Sequence, residues 1–302
     1  VLLLLFFQEK KEFFLFLFLP RKRKEGYPMQ FDYELVGKIG SMALIRKADN
    51  DIDYNIFSRL GAELQPGMIW VSSGATEIGR LDYVRRNGAE LDGDPEEVKA
   101  DYAAQGQTIL MMEYRRYIPD RYSVRQLLVE HTHFNDEEKR NHIRSFLLRC
   151  AEQGAIPIVN YNDPVSIEEV RKMELSHLRE QADHVVECID NDETASVICS
   201  LVHAKYLIIL TSVDGIYRDP GDPGTLVPAV EGKNADEIIE QIDALACNCV
   251  GASRSGANGA RAKLDFIKQP VREGTTVYIA NARERIQDIL NGTGRSTVFR
   301  VR

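Results

Sequence analysis

From Asp32 onward, short apolar runs alternate with longer amphipathic ones. "YELVGKI" at 33–39, "GMIWVSS" at 67–73 and "AIPIVNYND" at 155–163 are each rich in apolar residues and close on glycine or polar side chains, the pattern of strands buried on both faces. "AKYLIILTSVDGIY" extends the series and ends in the turn dipeptide Asp214-Gly215. "GTTVYIANA" is expected to be the last core strand, followed by a helix over "RERIQDIL". Between these runs, "EEVKADYAAQGQTILMMEYRRYI" has helical spacing. "DEEKRNHIRSFLLRCAEQG" opens with acids that suit a helix N-terminus and stops at a glycine. "RDPGDPGTLVP" holds too many helix breakers to be anything but a surface loop or hairpin.

Repeated strand, turn and helix units predict an α/β fold, a three-layer αβα sandwich around a mainly parallel sheet. In such sheets ligands gather at the carboxyl ends of strands. Polar clusters fall just after the apolar runs at 38–41, 72–75, 160–163 and 211–214, which marks one edge of the sheet as the site.

Composition narrows the class. With 302 residues and 44% apolar content the chain can bury the core of one large domain or two smaller ones. A net charge of −8 argues against a nucleic-acid partner, which would call for a basic stripe. The five cysteines are odd in number and scattered, which fits a reducing, cytoplasmic setting. Cys247 and Cys249 lack a second ligand pair, so no metal site is assigned to them, and His131 and His133 read as solvated or capping histidines. Residues 1–28 differ from the rest: "VLLLLFF" and "EFFLFLFL" are each far shorter than the roughly 20 residues a membrane span needs. The basic residues follow the apolar runs, the reverse of a signal peptide. The expectation is a vector-derived or upstream-translation extension, or else a membrane-associating or oligomerising segment, with the native fold beginning near Met29.

The polar clusters suggest chemistry. "GKIGSMALI" sets Lys38 beside Gly40 and Ser41 at a strand end, where backbone N–H groups and a lysine can hold an anion. Its spacing is not that of the common nucleotide-binding loop, and taken alone it fits a surface lysine equally well. "VSSGATEIG" is a second such turn; it resembles half of a nucleophile elbow, but that reading fails because the positions flanking Ser73 at two residues are Val71 and Ala75, not glycines. The residues of that turn fit either an anion-holding loop or an N-cap. "GANGARAKL" supplies Lys263 near a helix start. Two such turns and two cations suit a transferred phosphoryl group. Asp163, Asp190 and Asp192 would then organise the lysines or ligate magnesium.

In order along the chain, "GKIGS", "VSSGA", "AAQGQTILMMEY", "GAIPIVNYND", "IDNDETAS" and "LIILTSVDGIYRDP" resemble the motifs of the amino acid kinase family, and within it the glutamate 5-kinase branch. The resemblance implies ATP-dependent phosphorylation of a small carboxylate, glutamate by default, as a step of proline biosynthesis, with ATP and Mg2+ as cofactors and no residue assigned as a direct metal ligand. It implies that Lys38 and Lys263 stabilise the transferred group and that Asp192 orients them. Gly40, Ser41, Thr211, Ser212, Asp214, Gly215, Tyr217, Gly256 and Gly259, with Lys263, would hold the nucleotide. Ser73, Gly74, Ala75, Asp163, Asp190 and Asn191 would hold the acceptor. Residues 29–302 are expected to form one domain, with an acceptor half over 29–190 and a nucleotide half over 191–302. The resemblance also implies a homo-oligomer with a small-molecule substrate and no membrane partner for the folded part.

The sequence departs from the family pattern at several places. Around Gly256 to Lys263 the lysine is kept, but a glycine, both threonines and a methionine of the pattern are replaced. Ser212 stands for an aspartate and Ile189 for a glycine. Residues 164–189 are far longer than the branch carries and lie between two acceptor motifs, where a different acceptor would be selected. No part of the sequence corresponds to the RNA-modification-type domain of many bacterial members. A UMP kinase-like phosphate acceptor and a non-catalytic nucleotide-binding role on the same fold stay open at this point.

Overall fold

Strand residues of alternating direction divide the core of the computed structural model in two, with one cluster on each face of a single sheet. The structure describes residues 31–46, 48–166, 168–180, 185–188, 190–219, 222–248 and 259–302; the expectation for residues 1–28 lies outside them.

In chain order the elements are β1 (Tyr33–Ile39), a short 3-10 turn (Ser41–Ala43), β2 (Ile45–Arg46), β3 (Asp51–Ile52), α1 (Tyr54–Glu63), β4 (Met68–Ser72), α2 (Ala75–Asn87), α3 (Pro95–Tyr117) and β5 (Ser123–Val129). Then come α4 (His131–Asn135), α5 (Glu137–Glu152), β6 (Ala155–Tyr161), α6 (Glu168–Arg179), α7 (Asn191–Leu201) and β7 (Ala204–Thr211). The chain continues through a 3-10 turn (Pro223–Thr225), β8 (Ala229–Gly232), α8 (Ala235–Asn248), α9 (Ala260–Phe266), α10 (Lys268–Arg272), β9 (Thr276–Asn281), α11 (Ile286–Leu290) and β10 (Ser296–Val301).

Eight strands form one sheet in the order β5-β6-β4-β1-β7-β9-β10-β8, and β2 with β3 forms a small antiparallel ribbon. The six strands from β5 to β9 are mutually parallel. β10 runs antiparallel to β9, and β8 runs parallel to β10. β9 is therefore not the last core strand, as the sequence suggested: β10 follows it and turns the sheet's edge around.

Period-two alternation sends Val36, Ile69, Val71, Val159, Leu207 and Ile209 to one face, where they meet α5, α7, α8 and α9 through Leu147, Ile198, Ile242 and Leu264. Leu35, Met68, Trp70, Ile158, Ile208 and Leu210 face the other way, toward α1, α2, α3 and α11 through Leu60, Ile78, Leu110 and Ile289. The result is the expected α/β three-layer sandwich.

Local chemistry fixes the helices that reach the site. In α3, Asp94 caps the backbone N–H groups of Glu96 and Glu97, Pro95 occupies the first turn, and Arg115 and Arg116 close the last. α2 and α3 touch backbone to backbone: a Cβ on Gly106 would lie 1.8 Å from the Ala75 carbonyl oxygen and 2.4 Å from Gly79 N. That closeness draws the first turn of α2 down onto α3. Among the described residues no helix is long and apolar enough to cross a membrane.

Candidate active site

The carboxyl ends of β1, β4 and β7 lie side by side, with Ile39 in register with both Ser72 and Leu210. The turn after β1 is tied to its neighbours by Gly40 N donating to Leu210 O at 3.2 Å and Ser73 N donating to Ile39 O at 3.1 Å. Gly74 has φ +106, and a Cβ there would stand 3.0 Å from Leu44 Cδ1 and 3.7 Å from Ser41 Cα. Only glycine allows this conformation without strain while the two turns approach. Beneath them a buried relay runs from Trp70 Nε1, which donates to the Tyr114 hydroxyl at 3.0 Å, to Tyr114, which donates to Ser72 Oγ at 2.8 Å.

The first turn of α7 enters this edge. Asp190 is its N-cap, Oδ1 accepting from Asp192 N at 2.7 Å and from Glu193 N at 3.1 Å. The cap aims Asp192, only 2% exposed, between two lysines: Lys38 Nζ is 2.6 Å from Oδ1 and Lys263 Nζ 2.9 Å from Oδ2. Burial acts to raise the Asp192 carboxyl, but the two ammonium charges outweigh it and hold the group below the usual carboxylate range. Asp190 goes the other way, raised by burial and then by the Asp192 charge beside it. Two ammonium groups thus flank the Asp192 carboxylate beside the turn at Gly40 and Ser41.

Asn191 begins a second chain of contacts. Its Nδ2 donates to Ser73 Oγ at 3.0 Å and to Asn160 Oδ1 at 2.9 Å, and Asn160 Nδ2 donates to Gln107 Oε1 at 2.8 Å. Each end of this amide chain has a buried atom without a partner, the acceptor Asn191 Oδ1 and the donor Gln107 Nε2. Unpaired buried amide atoms are costly, and a polar ligand that supplies one donor and one acceptor would satisfy both. Gln107, Tyr161, Asp163 and Ala75 also line a cavity of about 150 Å³ between α3 and the ends of β5 and β6. Asp163 is pushed up to about 6 by burial, against the opposing pull of the Arg171 guanidinium.

The structure thus brings together Lys38, Gly40, Ser41, Ser73, Gly74, Ala75, Asp190, Asn191, Asp192 and Lys263, and places Asp163 on the adjoining cavity. Thr211, Ser212, Asp214, Gly215 and Tyr217 lie at and just after the end of β7. Thr211 Oγ1 accepts from Val213 N at 3.0 Å, closing a tight turn that includes Ser212. Asp214 accepts from Asn281 Nδ2 at 3.1 Å and pairs with Arg295 at 3.3 Å. A Cβ on Gly215 would meet Thr297 Oγ1 at 2.5 Å, and Tyr217 bridges to Leu226. Gly259 directly precedes α9, whereas Gly256 lies outside the described residues.

Sequence reasoning missed several residues. Asn160 stood in a polar cluster and Gln107 in a quoted motif, but only the fold reveals that they are buried and joined. His133 caps, its Nδ1 accepting from Glu130 N at 2.8 Å. His131 corrects the expectation: it is wholly buried, with Nε2 3.1 Å from Glu174 Oε2 and Nδ1 3.2 Å from the Tyr161 hydroxyl. Of the cysteines, Cys150, Cys188 and Cys199 are buried free thiols and Cys247 is exposed.

Comparison with known proteins identifies the family. Residues 35–281 match the model of the amino acid kinase family. The chain is 28% identical over 277 residues to the glutamate 5-kinase of Alkaliphilus metalliredigens, covering 88% of this chain and 95% of that one. It is 32% identical over 240 residues to the glutamate 5-kinase of Clostridium perfringens, covering 77% and 80%. Among solved structures it superposes on the UMP kinase of Ureaplasma parvum with a TM-score of 0.51 at 11% identity, covering 90% and 100%. The carbamate kinase of Giardia lamblia bound to AMP-PNP gives 0.53 at 12%, covering 89% and 98%. These two likenesses speak for the fold alone. The chain belongs to the amino acid kinase family and is a phosphotransferase of that family.

Proposed function

We propose that the protein transfers the γ-phosphoryl group of ATP to the side-chain carboxylate of L-glutamate. A carboxylate oxygen attacks the phosphorus, the bond to the bridging oxygen breaks, and its electron pair leaves with ADP, giving an acyl phosphate without any proton transfer. The observation that carries this reading is the buried Lys38–Asp192–Lys263 arrangement beside an amide chain with one donor and one acceptor unspent. Charge spread over the phosphoryl oxygens in flight is what two fixed ammonium groups stabilise best. Asp192 holds both in place and keeps them from repelling one another.

The glutamate 5-kinase relatives supply the acceptor, and the site is chemically suited to it. Asn191 Oδ1 and Asp163 would accept from an ammonium group, and Gln107 Nε2 would donate to a carboxylate. Magnesium, which takes few protein oxygens when phosphates are present, would neutralise the triphosphate. Among the described residues no three His, Cys, Asp or Glu side chains converge as a ready-made cage, and Asp192 spends both oxygens on lysines. Thr211, Ser212, Asp214, Gly215 and Tyr217, at the end of β7, are assigned to the nucleotide.

ADP release measured with L-glutamate, L-aspartate, N-acetylglutamate, carbamate and UMP tests the assignment. Glutamate is expected to give the highest kcat/KM, and a higher value for UMP would overturn it.

A further inference from the structure

We infer that Arg171 selects the acceptor in this chain by receiving a carboxylate of the acceptor other than the one phosphorylated. The inference rests on the proposed phosphorylation of a carboxylate. It adds a specificity-determining residue from the segment that departs from the family pattern.

The placement of α6 carries it. Glu174 Oε2 lies 3.1 Å from Nε2 of the wholly buried His131, whose Nδ1 is 3.2 Å from the Tyr161 hydroxyl. That hydroxyl is also 2.8 Å from Ser166 Oγ, at the entry to the helix. Leu175 is buried as well, so one face of α6 is docked on the body. Arg171 is one turn before Glu174 and shares that face. Its guanidinium carbon stands 5.9 Å from the centroid of the Tyr161 ring, a cation–π distance. Tyr161 and Asp163 both line the cavity of the acceptor end.

The charges are complementary to an α-amino acid. Asp163 offers an anion for an ammonium group, and Arg171 beside it offers the planar fork that suits a carboxylate. Arg179, the other arginine of α6, pairs with Glu187. The Arg171 guanidinium reaches the Tyr161 hydroxyl, and among the described residues no carboxylate lies within ion-pair distance of it. The Arg171 charge is felt at Asp163, where it opposes the effect of burial. An acceptor whose far carboxylate reaches the lysines would leave its near ammonium and carboxylate to this pair.

The test compares L-glutamate with 4-aminobutyrate, which is glutamate without the near carboxylate. Calorimetric binding and ATP-dependent ADP release are measured for the wild type, Arg171→Gln and Arg171→Lys. For glutamate, Arg171→Gln should weaken binding and raise KM by about 10- to 100-fold, the range of a lost charge-assisted hydrogen bond. The KM for ATP should stay within about twofold. For 4-aminobutyrate the values should barely move, so that discrimination between the two acceptors collapses, and Arg171→Lys should fall between. Equal loss for both acceptors, the mark of a merely structural role, would overturn the inference, as would an unchanged ratio. A wild type that binds glutamate through Arg171 but releases no ADP with it would refute glutamate as the phosphorylated acceptor and keep Arg171 as the residue that receives its near carboxylate. A wild type that binds no glutamate would overturn both.

Discussion

Lys38 and Lys263, at the end of β1 and in the last turn of α9, share the two oxygens of a single buried carboxylate, Asp192. Each ammonium is thereby fixed before any phosphate arrives, and preorganised charge of this kind costs no reorganisation in the transition state.

Removing either cation should therefore lower kcat far more than it weakens nucleotide binding. Lys38→Ala and Lys263→Ala are each expected to cost about 10²- to 10³-fold in kcat, with a KM for ATP changed severalfold at most. Steady-state kinetics of the two variants check this. Unaltered turnover in either would remove that lysine from the reaction.

Asp192→Ala should both inactivate and destabilise. It leaves Lys38, itself 6% exposed, buried without its counter-ion, a change that costs on the order of 3 kcal/mol. Adding Lys38→Met should recover part of that loss, which denaturant unfolding of the single and double variants would reveal. Without such recovery, the cost comes from packing and not from charge.

Asp163 sets a pH dependence. Its carboxyl is raised to about 6 by burial, so the free protein holds the group neutral below that value and anionic above it. If the anion receives the acceptor's ammonium, kcat/KM for glutamate should rise with pH through about 6 and level off. The stability contribution has the opposite sign. Between the unfolded value near 4 and the folded value near 6 the native state binds more protons, so this group makes stability fall as pH rises. Asp163→Asn should accordingly flatten the activity profile near 6, weaken glutamate binding, and leave the ligand-free protein at least as stable at neutral pH. A profile for the variant that still turns at 6 would assign the step elsewhere.

Gly106→Ala tests how α2 is placed. The added methyl would collide with the Ala75 carbonyl, at the helix start that follows Ser73 and Gly74. Overpacking of this kind costs about 1–3 kcal/mol, and displacement of the turn should raise the acceptor KM. Thermal unfolding and acceptor kinetics together check it, since a loss of stability with normal acceptor KM would show that the turn is positioned without this contact.

What could be read from the sequence was what is local. β1, β4, β6 and β7 are central and buried on both faces, so their apolar runs and closing turns stand out, and the parallel sheet puts those turns on one edge. β5 lies at the sheet's rim, where "SVRQLLV" is half-exposed and lacks an unbroken apolar run. β10 pairs antiparallel with β9, which no feature of the strand-turn-helix rhythm announces. The run Asp190-Asn191-Asp192 was legible as a motif because its residues are neighbours in sequence. Gln107, Asn160 and His131 were not, because their burial is decided by elements distant in sequence.

The central claim is that phosphate moves from ATP to a glutamate carboxylate between two lysines held by Asp192. Trapping the product with hydroxylamine tests it most directly, since an acyl phosphate yields a hydroxamate. The wild type should form glutamyl hydroxamate only with both ATP and glutamate present, and Lys38→Ala and Lys263→Ala should form about 100-fold less. ADP release with no hydroxamate, or undiminished hydroxamate in either lysine variant, would contradict it.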